Sequence, residues 1–333
     1  MRALVYSAPK KVELQELPRP VPGPGEVLVS VDTAGICGSD ITGFLGHSDR
    51  PRPPLVLGHE LVGRLEDGRR VVVNPLISCG ICRRCLEGRQ NLCKQWSLLG
   101  MDRVQGAYAE FVSVPERQLF VVSEAMPMTQ AVIAEPLANI VHLYRIAGTG
   151  GLSPLAIIGA GTMGTLALLL GKILGFRNIL MADVSDERLE LVSGLGVRWA
   201  ENVRSASGVD RVRKAVAGGF DLVIDASGTG DARRLALDLC SAGGQAVLLG
   251  MGEQKSEIDL VTSIRKEHRV STSFAYTPVD FQRSLELLTV GDVNLSPWTT
   301  SLPLERGQEA FERMSSAPGS TLKMLLEVGK PAY

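Results

Sequence analysis

Four of the six cysteines, Cys79, Cys82, Cys85 and Cys93, crowd into fifteen residues, on a segment that also carries Gly80, Gly88, Arg83, Arg84 and Arg89. Thiolates separated by two residues can turn onto one ion, and the seven residues before Cys93 let the chain loop back and close a tetrahedron. Zinc is the expected ion. Disulfides would need an oxidising compartment, whereas Met1 leads straight into a strand-like run, Arg2 to Tyr6, with no apolar signal-peptide core. A ferredoxin-type iron–sulfur run closes with a three-residue gap and a proline; here the gap is seven and Lys94 follows. Coincidence is the remaining alternative, and so few cysteines seldom crowd together by chance. A closed tetrathiolate has no open position, so its expected work is to hold a loop rather than to do chemistry.

A second set of donors is sparser. Cys37 lies in Gly35-Ile36-Cys37-Gly38-Ser39-Asp40, and Gly58-His59-Glu60 follows twenty-odd residues later. One thiolate and one imidazole make half of a zinc site, and a catalytic zinc keeps three protein ligands and one open position. Glu135, in Ala134-Glu135-Pro136, is a candidate third ligand. Taken singly, Cys37 reads as a buried apolar thiol and His59 as a satisfied core histidine.

The third chemical signature is Gly159-x-Gly161-x-x-Gly164, set between an apolar run, Leu155 to Ile158, and a helical stretch from Thr162. The first glycine permits a tight turn, the second lets backbone approach a pyrophosphate, and the third lets helix and strand pack closely. The helix start, Thr162 and Met163, then presents unpaired N–H groups to the phosphates. Asp183 follows the next apolar run nineteen positions beyond Gly164, where a carboxylate accepts from the adenosine ribose hydroxyls and repels a 2′-phosphate. The nearest following cation is Arg188, a candidate cofactor-binding residue. The cofactor expected is NAD rather than NADP.

The elements that must position these groups fall into two textures. Arg2 to Tyr6, Val12 to Leu17, Glu26 to Thr33, Arg69 to Asn74 and Tyr108 to Val114 read as short strands with turns between them, a mostly β domain carrying the cysteine cluster on a loop. From about Pro136, apolar strands (Leu155 to Ile158, Asn178 to Ala182, Asp221 to Ile224, Gln245 to Leu249) alternate with helices (Thr162 to Leu174, Asp186 to Leu195, Asp231 to Cys240). Asp186 and Asp231 are the expected N-caps. That alternation implies a doubly wound parallel sheet and an α/β class. A helix, Val279 to Leu288, and an extended tail, Thr321 to Val328, are expected to return to the first domain. With 45% apolar and 21% charged residues and a formal net charge of −1, the 333-residue chain is expected to be ordered and without a polyanion-binding surface. The apolar stretch Leu155 to Phe176 is broken by glycines and Lys172, which excludes a membrane span there. The chain is expected to be soluble and cytoplasmic.

These motifs, with Gly106-Ala107-Tyr108-Ala109-Glu110 and Glu135-Pro136-Leu137, resemble the zinc-dependent medium-chain dehydrogenase/reductase family over essentially the whole chain, closest to its polyol and threonine dehydrogenase branches. The resemblance implies a GroES-like catalytic domain (1–138 and 277–333) with a structural zinc lobe near 74–98. That domain is split in sequence around a Rossmann NAD-binding domain (139–276), with the active site in the cleft between them. It implies two zinc ions per chain, the catalytic one held by Cys37, His59 and either Glu60 or Glu135. Ser39 matches the hydroxyl that passes on the substrate proton. In alcohol dehydrogenases of this family the third ligand is a second cysteine; Glu135 stands there instead, which leans toward polyhydroxylated substrates. Two positions depart from the pattern. Thr42 occupies the place of the relay histidine, with His47 the nearest histidine, and Phe274-Ala275-Tyr276 lacks the polyol branch's arginine.

The implied activity is reversible oxidation of a secondary alcohol, of polyol, sugar or hydroxy acid type, with NAD as hydride acceptor. The alternative is an amino alcohol of the threonine type; from another class comes a non-catalytic nucleotide-binding scaffold, whose mark would be a lost ligand. The expected partners are a small alcohol and further copies of the chain, as a homodimer or homotetramer, with neither nucleic acid nor membrane.

Overall fold

The computed structural model describes residues 1–101, 104–148, 153–316 and 318–329. Contacts divide the chain into two units, Met1–Glu135 with Tyr276–Tyr333, and Pro136–Ala275.

In the first unit the long strand Glu26–Ile36 is the spine. It pairs antiparallel with Glu60–Arg64 on one side and with Lys323–Glu327 on the other, and its first half pairs with Phe111–Pro115. Seven strands join in this sheet, and a three-stranded sheet (Lys11–Glu16, Arg2–Ala8, Leu55–Val56) completes the β structure. The alternation of Val27, Val29 and Val31 sends Val29 and Val31 into a core shared with Leu61, Val71, Val112 and Leu326. Register brings distant sequence together: Gly35 lies opposite both Glu60 and Leu325, and Ile36 opposite Met324. Only glycine fits at position 35, since a Cβ there would stand 2.2 Å from Glu60 Oε2. The strand stops at Ile36, and Cys37 becomes the N-cap of the helix Gly38–Phe44, with a capping box closed by Asp40.

The second unit is a six-stranded parallel sheet in the order Trp199–Asn202, Ile179–Asp183, Leu155–Ile158, Phe220–Asp225, Cys240–Leu248, Arg269–Thr272. That order reverses beside the first strand of the unit, where open parallel sheets bind dinucleotides. Two expected caps shift. Ser185 and Thr229, not Asp186 and Asp231, accept the orphan N–H groups of the helices Asp186–Ser193 and Gly230–Leu239. The aspartates sit inside the first turn, where a negative charge favours the helix dipole instead. Cys240, expected in a helix, opens a strand; it is buried, which pushes its thiol up to about 12. No helix among the described residues is long and apolar enough to cross a membrane.

Candidate metal centres and dinucleotide site

The four clustered thiols converge. Their Sγ atoms lie 3.5 Å apart for Cys79–Cys93 and Cys82–Cys85, 3.8 Å for Cys82–Cys93 and 3.9 Å for Cys79–Cys85. A zinc–sulfur bond of 2.3 Å in a regular tetrahedron requires sulfurs about 3.8 Å apart, so the donors fit zinc without rearrangement. Cys82 caps the short helix Arg83–Leu86 and Cys85 lies on it. The backbone N–H groups of Cys79 and Gln95 point at Cys93 Sγ, 3.4 and 3.3 Å away, as thiolate sulfur requires. The backbone N–H of Cys85 holds Cys82 down at about 6, whereas burial pushes Cys85 up to about 11. Metal binding must therefore displace protons from this loop.

Cys37, His59 and Glu60 form the second cluster, each offering a ligand atom within 4.8 Å of the others. Register explains the meeting: Cys37 follows the spine strand, Glu60 begins the strand paired with it, and His59 immediately precedes Glu60. His59 and Glu60 are buried and Cys37 half-buried. His59 Nδ1 faces Asp40 Oδ1 at 3.7 Å, and neither atom has a hydrogen-bond partner among the described residues. A buried imidazole and carboxylate left so are costly in a metal-free site and are the arrangement that orients a metal-bound histidine. Burial lowers the His59 pKa, but Asp40 and then Cys37 outweigh it, and the net position is well above the usual imidazole range. Burial raises that of Asp40.

Of the two carboxylates proposed from sequence, Glu60 belongs to this cluster and Glu135 borders it. Glu60 is fully buried and forked onto Lys323, whose Nζ donates to both carboxylate oxygens at 2.7 Å and to Ile36 O at 3.3 Å. Glu135 lies outside the set of converging ligand atoms; burial raises its pKa, against the pull of His59. Burial and then the charge of Glu135 hold the Tyr276 hydroxyl well above its ordinary range. Lys323, 263 residues from its partner, has one sequence signal: a lone lysine entering the apolar run Lys323-Met324-Leu325-Leu326. Burial depresses an ammonium, yet Glu60 and Cys37 more than reverse this and raise Lys323 above 10.5. A raised lysine stabilises the fold at every pH below its unfolded value and loses that contribution only above it, so Lys323 is charged at neutral pH. Replacing Lys323 by Met strands a buried carboxylate and is expected to destabilise the protein by about 3–5 kcal/mol, read from denaturant midpoints. An unchanged midpoint would mean that Glu60 is not paired in solution.

Ser39 is half-buried on the first turn after Cys37. Thr42 donates its hydroxyl proton to Gly38 O at 3.0 Å, and His47 is exposed. Phe44, on the same helix, packs in the core against Phe311, ring centroids 5.0 Å apart.

In the second unit Gly159 adopts φ +103°, closed to most side chains, and a Cβ on Gly164 would lie 1.7 Å from Gly159 O. Gly161 caps the helix Thr162–Ile173, whose first turn starts at Thr162 and Met163. Asp183 ends the neighbouring strand: Oδ2 accepts from Ala160 N–H at 2.6 Å, and Oδ1 from the N–H groups of Val184 and Ser185 at 2.7 and 2.8 Å. One carboxylate thus ties the glycine turn to the second strand. Arg188 brings Nη1 within 3.7 Å of where a Gly161 Cβ would be, which places its guanidinium beside the glycine turn. Arg204, not singled out from sequence, donates to Val184 O at 3.1 and 3.3 Å.

Known proteins resemble this chain over most of its length. Residues 23–124 match the alcohol dehydrogenase GroES-like domain and residues 162–289 the zinc-binding dehydrogenase domain. An L-threonine 3-dehydrogenase of Saccharopolyspora erythraea is 33% identical, covering 98% of this chain and 99% of its own. Two solved structures each cover 98% of this chain at 27% identity and are themselves 99% covered. One, from Sinorhizobium meliloti 1021, is assigned as a zinc-binding dehydrogenase and has NADP bound (TM-score 0.88). The other is described as a short chain alcohol dehydrogenase, rspB, from Escherichia coli CFT073, complexed with NADH (TM-score 0.90). The chain belongs to the zinc-dependent medium-chain dehydrogenase/reductase family.

Proposed function

We propose that this protein reversibly oxidises a secondary alcohol by passing a hydride to NAD, at a centre built on Cys37, His59 and a carboxylate. The convergence of the Cys37, His59 and Glu60 ligand atoms within 4.8 Å carries the reading. A zinc ion held there, with one position open, would act as a Lewis acid toward the alcohol oxygen. NAD supplies the hydride acceptor. On this reading the first unit is the catalytic domain, with a second, structural zinc in the lobe around residues 74–98, and the second unit binds the dinucleotide.

The chain's own groups then have distinct tasks. Ser39 accepts the hydroxyl proton of the alcohol as it gives its own hydroxyl proton to water; its place on the turn after Cys37 supports this. Thr42 has its proton committed to Gly38 O, so it passes no proton onward while that bond is held. Glu60, gripped through both oxygens by Lys323, and Glu135, whose carboxyl pKa burial raises, give the centre two carboxylates, either of which can complete the ligand set. Gly159, Gly161 and Gly164 keep side chains away from the pyrophosphate, the N–H groups of Thr162 and Met163 face it, and Arg188 lies beside it. Asp183 accepts from the ribose hydroxyls with the lone pairs its backbone bonds leave free. Asp183→Gly is expected to reduce the preference for NAD over NADP about 10- to 100-fold, the worth of a charged hydrogen bond. An unchanged ratio of kcat/KM values would remove Asp183 from cofactor selection.

A polyol, sugar or hydroxy acid is the substrate class favoured by a carboxylate at Glu135. The threonine reading is favoured by the likeness to an L-threonine 3-dehydrogenase. A panel of polyols, sugars, hydroxy acids and threonine, followed by NADH absorbance, separates them; no turnover with any secondary alcohol would overturn the proposal. A homodimer or homotetramer is supported by the edge strand Arg269–Thr272, on which Val270 is exposed, and by the exposed Val261 and Ile264 of the helix Leu260–Arg265. Sedimentation of the full chain as a monomer would contradict it.

A further inference from the structure

Tyr108 is fully buried, and its hydroxyl lies 2.7 Å from Asp40 Oδ2 and 3.0 Å from Gly35 O. Asp40 is itself fully buried, and the same Oδ2 accepts the backbone N–H of Cys37 at 3.0 Å. Its other oxygen, Oδ1, is the atom that faces His59 Nδ1. One carboxylate therefore touches the backbone of one ligand and the ring of another, and the phenol is the only side chain among the described residues that donates to it.

The ring of Tyr108 holds the His59 side as well. Gly58, immediately before His59, has φ +97°, and a Cβ on it would lie 2.6 Å from two Tyr108 ring carbons. The backbone N–H groups of Ala107 and Tyr108 donate to Gly58 O and Leu57 O at 2.9 and 3.0 Å. Phe311 braces the ring from the side, edge-on with centroids 5.9 Å apart. The hydroxyl is thus delivered to Asp40 from a ring that cannot shift without moving the residue before His59.

We infer that Tyr108 is a positioning residue for the Cys37–His59–Glu60 metal centre, acting through Asp40, which it holds with one oxygen on the Cys37 backbone and the other toward His59. The inference rests on the proposed metal site. Outer-shell partners of this kind set ligand orientation, and their loss typically weakens metal binding about 10- to 100-fold.

The test is competition for zinc by a chelator on the full zinc-loaded chain, in which the release step belonging to this centre is identified as the one missing from Cys37→Ala. In Tyr108→Phe that step is expected at about 10- to 100-fold lower chelator, with the tetrathiolate step unmoved and the visible bands of the cobalt-substituted centre displaced. Tyr6→Phe is the control. It deletes another buried phenol hydroxyl, which donates to Gly43 O at 2.9 Å, and is expected to move stability but neither the release step nor the bands. In an Asp40→Asn background, where no buried charge depends on the phenol, Tyr108→Phe is expected to add less than about twofold. A wild-type release step in Tyr108→Phe, or equal weakening in both backgrounds, would overturn the role of Tyr108. Absence of any release step dependent on Cys37 would instead overturn the metal site itself.

Discussion

Cys37→Ala is expected to hold one zinc per chain instead of two and to lose about 10³-fold or more in kcat/KM, while binding NAD as before. Removing the thiolate leaves an imidazole and one carboxylate, too few protein donors for a catalytic zinc, which uses three. A Lewis acid at an alcohol oxygen is worth several kcal/mol of barrier, and each 1.36 kcal/mol is a factor of ten, which sets the magnitude. Stability should change little, because Cys37 is half-buried and caps a helix of only seven residues. Metal analysis and NADH-linked kinetics on the same preparation check the result together. Two zinc ions in the variant, or undiminished turnover, would show that Cys37 is not a ligand.

The second large effect is expected from Cys93→Ser. The thiolate lobe has little core of its own: Ile81 and Leu86 are 82% and 76% exposed, and the adjoining sheet, Leu76–Ile77 with Ser97–Leu98, has two residues in each strand. Its order must come from the metal. Apparent binding free energies of structural zinc reach about 10–16 kcal/mol at neutral pH, and in a segment without a core that energy is folding energy. Cys93 is the buried member that accepts two backbone N–H groups, so its loss removes a ligand and two anchors. The expected outcome is a chain with one zinc, rapid proteolysis between residues 80 and 92, and a lowered melting temperature, with the catalytic-centre metal retained. A protease-resistant lobe would mean that side-chain packing, not metal, orders it.

Much of this was legible in the sequence because it is local. The four thiols sit within fifteen residues, and the glycine turn, its strand and its helix are contiguous, so spacing alone constrains what they can do. The half-site Cys37 and His59 became readable only through family resemblance, since the register that joins them, Gly35 opposite Glu60, is a property of the sheet. Three residues around the centre carried no readable role. Lys323 reaches Glu60 from the far end of the chain, Asp40 reads as an ordinary first-turn acid, and Tyr108 reads as a strand aromatic. Their roles depend on which atoms remain unpaired once the sheet has closed. The displaced caps show the reverse error: Asp186 and Asp231 are good caps by residue type, but Ser185 and Thr229, one and two positions earlier, already accept the N–H groups.

The central claim is that a divalent cation is held where Cys37, His59 and a carboxylate converge. An anomalous difference map recorded at the zinc edge from crystals of the zinc-replete protein tests this most directly. The expected result is two peaks per chain, one within the thiolate tetrahedron and one bonded to Cys37 Sγ and His59. A single peak, confined to Cys79, Cys82, Cys85 and Cys93, would contradict it.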